Sequence, residues 1–233
     1  MDRDGRVARG AGDACDRPRG RASFRAVRRR HARAGRRGRV TGAALAFDSV
    51  ACLRGGRLLF EGLNFGLGPG DAALVIGPNG VGKSSLLRLA AGLLAPAAGT
   101  IRREGRLSLA DENSALDRHV TLARAIGFWV GLDGGEVCDV ARGLAAMDLL
   151  HLSEVPVRML STGQRKRATL ARVIAGNAPL WLLDEPANGL DTASLERLEA
   201  AMVAHRQSGG IVLAASHQPL GLIGAQTLAL TAA

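Results

Sequence analysis

The chain has 233 residues, 47% hydrophobic and 22% charged, which suits one domain with a buried core of ordinary size. No apolar run reaches the ~18–20 residues that cross a bilayer as a helix; the stretch 221–233 is too short and is broken by Gln226 and two threonines. The net charge of +10 invites a nucleic-acid reading, but residues 1–40 hold 14 arginines against four aspartates, which leaves 17 basic and 17 acidic groups in the rest.

All of the excess charge therefore lies in the first 40 residues. Runs such as Arg28-Arg29-Arg30 and Arg36-Arg37 could meet RNA or anionic lipid. The segment has almost no apolar periodicity, so the expectation is a disordered, solvated extension, or a stretch that is not translated, with Val40 as an alternative start. It lacks the apolar core of a secretory signal. No nucleic-acid partner is expected. The cysteines (Cys15, Cys52, Cys138) are odd in number and form no C-x-x-C pair, which fits a reducing compartment. The five histidines show no metal-ligand spacing.

From about Leu45 the pattern becomes α/β. Ala72–Ile76, bounded by Gly70-Asp71 and Gly77-Pro78, reads as a buried strand. Ser85–Leu94 carries five leucines and reads as a helix buried over most of its surface, stopped by Pro96 and Gly99. Val120–Leu152 is mostly helical with polar breaks, a small helical insertion spanning about 118–160. Leu180–Leu183 and Ile211–Ala214 are two further buried strands, separated by the amphipathic helix Ser194–Arg206. Strands alternating with helices imply a mainly parallel sheet, here in one domain over 41–233.

The first strand–helix junction carries the chemistry. Gly77-Pro78-Asn79-Gly80-Val81-Gly82-Lys83-Ser84 fits G-x-x-x-x-G-K-[ST], with Ser85 continuing into the helix. Glycines let backbone N–H groups turn inward around phosphate oxygens, and the helix start adds its positive dipole end. Lys83 would neutralise the β- and γ-phosphates, and the Ser84 hydroxyl would ligate Mg²⁺. ATP and Mg²⁺ are thus the expected ligands. The strand Leu180–Leu183 delivers Asp184 and Glu185 at its carboxyl end, where open α/β sheets bind ligands. One acid there can join the magnesium shell, and the other can orient or deprotonate an attacking water.

Leu160-Ser161-Thr162-Gly163-Gln164, then Leu180-Trp181-Leu182-Leu183-Asp184-Glu185-Pro186, resemble the ATP-binding subunit of ABC transporters over about Leu45 to Leu220. The resemblance implies a P-loop NTPase core of mainly parallel sheet, with a small antiparallel β part and a short helical insertion. It makes Asp184 the magnesium-shell acid, Glu185 the catalytic base and His217 the switch histidine at the γ-phosphate. Asp191, in Asn188-Gly189-Leu190-Asp191, falls in the loop that faces the other subunit. Ser161, Thr162, Gly163 and Gln164 would close over ATP held by a second copy, giving a homodimer with nucleotide sandwiched between subunits. Thr162 stands where the family has glycine, while the helix-capping serine and the following glycine remain.

Ala51-Cys52-Leu53-Arg54-Gly55-Gly56-Arg57-Leu58-Leu59-Phe60 and Ala178-Pro179-Leu180-Trp181 are similar to the haem exporter ATP-binding branch of cytochrome c maturation. That branch implies integral membrane transporter subunits as partners and a peripheral place on the cytoplasmic face of a bacterial inner membrane. The chain shows no Cys-Pro pair or axial-ligand constellation, so haem is expected on other subunits. An ATPase of another ABC importer or exporter shares all of this chemistry. A soluble ABC ATPase acting on ribosomes or DNA normally needs a second nucleotide domain or a long insertion, and the stretch from Asn113 to Ser161 is under 50 residues.

Two positions depart from the family. The aromatic that stacks on adenine falls near Arg54, whose planar guanidinium can stack instead. The glutamine loop falls near Ala110–Leu116, where Asn113 is assigned the magnesium-side oxygen, with Glu112 or water as alternatives. The membrane subunit is expected to meet the helical insertion and the loop around Asp111–Asp117. Asp111, Glu112, Asp117 and Arg118 would form a charged rim there. Phe128, Trp129 and Val130 would be apolar anchors, with the core of the insertion as the alternative for Phe128 and Trp129.

Overall fold

A computed structural model of the protein describes residues 44–231. The arginine-rich segment 1–40, and the two readings of it, lie outside that range.

Strands β1 (Ala44–Arg54) and β2 (Arg57–Leu67) form an antiparallel hairpin. Its two-residue turn, Gly55-Gly56, has φ of +55° and +79°, the positive pair a tight primed turn demands. Then come β3 (Ala72–Ile76), helix α1 (Lys83–Ala91), β4 (Ala98–Glu104) and β5 (Leu107–Ala110). The insertion holds α2 (Leu122–Leu132) and α3 (Val137–Ala146), with two short 3₁₀ turns after them. The chain closes with α4 (Thr162–Ala175), β6 (Leu180–Asp184), α5 (Thr192–Gln207), β7 (Ile211–Ala215) and β8 (Gln226–Ala229).

Two sheets result. The smaller runs β2-β1-β4 and is antiparallel; the larger runs β5-β6-β7-β3-β8 and is parallel throughout. This is the α/β architecture with a small antiparallel part that the sequence implies. The parallel strands read as unbroken apolar runs because both faces are covered. Leu180 and Leu182 of β6 pack with α1 and the antiparallel sheet, whereas Trp181 and Leu183 pack with the insertion and α4. In β7 the same alternation sends Ile211, Leu213 and Ala215 one way and Val212 and Ala214 the other.

Several boundaries differ from those expected. Helix α1 begins at Lys83 and ends at Ala91, not at Leu94, because Gly92 adopts φ +74° and its N–H and that of Leu93 close back on Leu89 and Arg88. The helical stretch expected over 120–152 is two helices, parted at Gly134-Gly135. Strand β8 was not foreseen. It pairs parallel with β3, from Ala73↔Gln226 to Ile76↔Ala229, and so gives the apolar C-terminal stretch a place in the sheet. Among the described residues no helix is long and apolar enough to cross a membrane.

Candidate nucleotide site

The loop between β3 and α1 lies at the carboxyl ends of the parallel strands. Gly77 has φ +148°, and a Cβ there would stand 2.6 Å from the Leu230 carbonyl oxygen, so only glycine fits between loop and C-terminal strand. At Gly82, φ +116°, a Cβ would stand 3.2–3.3 Å from the Phe60 ring and Leu59. No side chain caps the start of α1, which leaves its first-turn N–H groups for an anion.

Lys83 is almost wholly buried. Its Nζ donates to the carbonyls of Gly77 (2.9 Å) and Pro78 (3.3 Å) and lies 2.8 Å from His217 Nε2. That same ring nitrogen lies 2.6 Å from Asn79 Oδ1 and 3.2 Å from Glu185 Oε1. When Nε2 carries a proton it donates to Asn79 or Glu185; when it does not, Lys83 donates to it. The His217 N–H donates to Glu185 Oε2 at 3.3 Å. Lysine, glutamate, histidine and asparagine thus converge beside the phosphate loop.

Asp184 ends β6 and is 4% exposed, yet its Oδ1 has no hydrogen-bond partner. Burial pushes its carboxyl above the usual range, opposed by a hydrogen bond with Ser84 and reinforced by the charges of Glu185 and Glu112. An orphaned buried carboxylate oxygen beside a serine hydroxyl is a donor set suited to Mg²⁺, which takes hard oxygen ligands and keeps several waters. Glu185 follows in a left-handed conformation, φ +44°.

A cavity of about 220 Å³ opens beside the loop, lined by Asn79, Gly80, Gly82, Lys83, Ser84, Ser85, Glu112 and Glu185, with Leu59 from β2. Val81 is buried beneath the loop. Glu112, not Asn113, lines this cavity. The Asn113 N–H closes a turn on Asp111 Oδ1 (3.0 Å), and Asn113 lines the neighbouring groove. Arg54 is exposed at the end of β1, at the rim of the hairpin turn.

The second motif forms a separate cavity. Ser161 caps α4: its Oγ accepts from the Gln164 N–H (3.2 Å), and Gln164 Oε1 accepts from the Ser161 N–H (2.8 Å). Thr162 and Gly163 line a cavity of about 290 Å³ with Asp111, Glu112, Lys166, Asn188 and Gly189. None of Ser161–Gln164 lines the phosphate cavity of the same chain; Glu112 is common to both. The Asp191 carboxylate caps α5; hydrogen bonds from the Ser194 hydroxyl and from the Ser194 N–H (2.8 Å) hold it below the usual range.

Two contributors escaped the sequence reading. Leu59 carries no motif signal. Lys166 does carry one, as one of only two lysines in the chain, lying just past Gln164. Its Nζ donates to the Glu185 carbonyl at 2.8 Å. Burial lowers its pKa, against the pull of Asp184, Glu112, Glu185 and Asp111.

The chain belongs to the ABC transporter family, whose profile matches residues 60–188. It is an ATP hydrolase of that type, and such subunits bind nucleotide, dimerise and work with membrane transporter components. It is 57% identical over 178 residues to the Cytochrome c biogenesis ATP-binding export protein CcmA of Sphingopyxis alaskensis, covering 76% of this chain and 92% of that one. The protein of the same name from Zymomonas mobilis is 53% identical over 188 residues, covering 81% and 85%. Among solved structures, an inward-facing putative metal-chelate type ABC transporter superposes with TM-score 0.67 at 26% identity, covering 81% of this chain and 79% of that one. A bacterial Atm1-family ABC exporter with ATP bound shares the fold, TM-score 0.71 at 23% identity, over 82% and 38%.

Proposed function

We propose that this chain is the ATP-hydrolysing subunit of an exporter that serves c-type cytochrome biogenesis, powering haem export or release of a haem chaperone. The observation that carries this is identity of 50–57% to three relatives named for that role, each matched over 85% or more of its length. The chain would sit peripherally on the cytoplasmic face of the inner membrane, bound to integral membrane subunits.

The phosphate-loop N–H groups and Lys83 hold the phosphates. Ser84 and Asp184 would hold Mg²⁺, which when bound would supply neutralisation of phosphate charge. Glu185 orients the attacking water and takes its proton, and His217 donates toward the γ-phosphate. Ser161, Thr162, Gly163 and Gln164 offer the start of α4 to nucleotide held by a second copy, as their exclusion from the phosphate cavity of their own chain supports. Arg54 stacks on the base. Glu112, which lines the phosphate-loop cavity, would take the part first assigned to Asn113.

The membrane subunit would dock in a groove of about 420 Å³ lined by Leu93, Leu109, Asp111, Asn113, Trp129 and Arg172. Of the three expected anchors, Val130 is core and Trp129 is half-buried, its indole N–H donating to the Ala115 carbonyl at 2.8 Å. Phe128 is 62% exposed, near Leu132 on the same helix. The test is deletion of the gene followed by haem staining. Loss of covalently bound haem with b-type haem intact is expected; normal c-type cytochromes would remove the haem-export role and leave the ATPase.

A further inference from the structure

Every basic side chain that α4 sends inward finds a main-chain carbonyl. Arg165 reaches Leu160, Arg167 reaches Met147, and Arg172 reaches Leu109 at the end of β5. Lys166 alone reaches the residue that follows β6, donating to the Glu185 carbonyl. The Glu185 carbonyl also accepts from the Asn188 N–H (3.2 Å), and its own N–H donates to Ala215 (2.9 Å). The peptide on both sides of Glu185 is therefore tied, and it needs to be. A φ of +44° is a conformation that side-chain-bearing residues rarely adopt, and relaxation of it would swing the Cα–Cβ bond and carry the carboxylate off the His217 N–H.

We propose that Lys166 is a positioning residue for hydrolysis. It holds the Glu185 peptide in its left-handed conformation and thereby aims the carboxylate at the γ-phosphate position. Because Lys166 lies about one turn into α4, the helix that Ser161 caps, it also ties the base of one site to the surface offered to the nucleotide of the other. This rests on the reading of Glu185 as the base and of Ser161–Gln164 as the face that meets a second copy.

The experiment compares Lys166→Met, Lys166→Arg and Glu185→Gln in the full chain, by steady-state ATPase and direct ATP binding. Lys166→Met keeps the aliphatic stem and removes the donor. It should lower kcat at least about tenfold, as misplacement of a catalytic group does, with KM and ATP affinity within about twofold. Lys166→Arg restores a donor and should recover most of kcat. Should the Met variant not fold, Lys166→Gln, too short to reach but polar, should show the same split. Parental kcat in the Met variant, loss of ATP affinity in step with kcat, or an Arg variant as slow as Met would each overturn the proposal. If Glu185→Gln is inactive while Lys166→Met turns over normally, this inference alone fails. If Glu185→Gln keeps parental turnover, the reading of the base fails first.

Discussion

The phosphate-loop cavity and the Ser161 helix cap, proposed to meet across two copies, are built in opposite ways. On the phosphate-loop side the groups are buried and already engaged: Lys83 on two carbonyls and a histidine, Glu185 on the His217 N–H, Asp184 beside Ser84. On the other side, Ser161 and Thr162 sit at the surface, in a helix cap that Ser161 and half-buried Gln164 satisfy between them. The first half is a preorganised polar pocket, where exclusion of water strengthens each charge. The second is complete only as a cap and gains a ligand only from outside the chain. Such an asymmetry is what a site assembled between two copies requires, because a preformed second half would bind anions before closure.

The largest expected effect lies at Glu185. Glu185→Gln keeps the shape and removes the proposed proton acceptor, so turnover should fall by about 10²–10⁴ while ATP affinity holds. Size-exclusion chromatography with ATP should then show a trapped dimer. A mutation on the exposed side, Ser161→Arg, should abolish that dimer with ATP binding by the monomer unchanged. Lys83→Ala acts differently from both, since it removes charged hydrogen bonds from bound phosphate. Nucleotide affinity should drop by about 10- to 100-fold, read by fluorescent-nucleotide titration.

Legibility follows the same division. The phosphate loop, the Asp184-Glu185 pair and the buried strands are local patterns, each fixed by a few adjacent residues, and they were readable. What the sequence hid is set by long-range packing. Glu112 and Asn113 are neighbours, and which one enters the cavity depends on a turn closed by Asp111. Trp129 and Val130 were candidates for the surface, but helix phase buries Val130, and Arg172 lies 5.0 Å over the Trp129 ring. Strand β8 is four residues with one buried side chain, too weak a period to read without β3 beside it. Lys166 needed the fold, since only the crossing of α4 over β6 brings it to Glu185.

A smaller effect sharpens the contrast within the buried half. Asp184 is an acid kept in a site that disfavours its charge, with one oxygen unpartnered. A raised folded-state pKa means that ionisation costs stability at every pH above it. Asp184→Asn should therefore raise the thermal midpoint in EDTA, by a gain of about 1 kcal/mol from relief of that desolvation. The same variant should lose the further rise that Mg²⁺ with ATP gives the parent. A fall in stability without metal would show that the carboxylate has a partner that offsets its burial.

The other end of β6 gives the smallest effect and the reverse sign. Trp181 stacks on His205 of α5, ring centroids 3.9 Å apart and planes 9° from parallel. His205 Nε2 is buried without a partner, and a Cβ at Gly210 would stand 2.2 Å from it, so no water-sized gap adjoins the ring on that side. Burial lowers the imidazole pKa below its ordinary 6.5. Between that lowered value and 6.5 the unfolded chain binds more protons than the folded one, so stability rises with pH across the window and is lost on acidification through it. The slope is at most about 1.4 kcal/mol per pH unit for one group. Chemical denaturation at pH 7.5, 6.5 and 5.5 should show the decline in the parent. His205→Phe keeps a flat ring against Trp181 with nothing to protonate, and its stability should vary less over the same range. ATP turnover corrected for folded fraction should stay the same in both proteins, because this end of β6 lies away from Asp184 and Glu185. An equal slope in the Phe variant would assign the acid sensitivity to another group, and loss of turnover would show that the two ends of the strand are not independent.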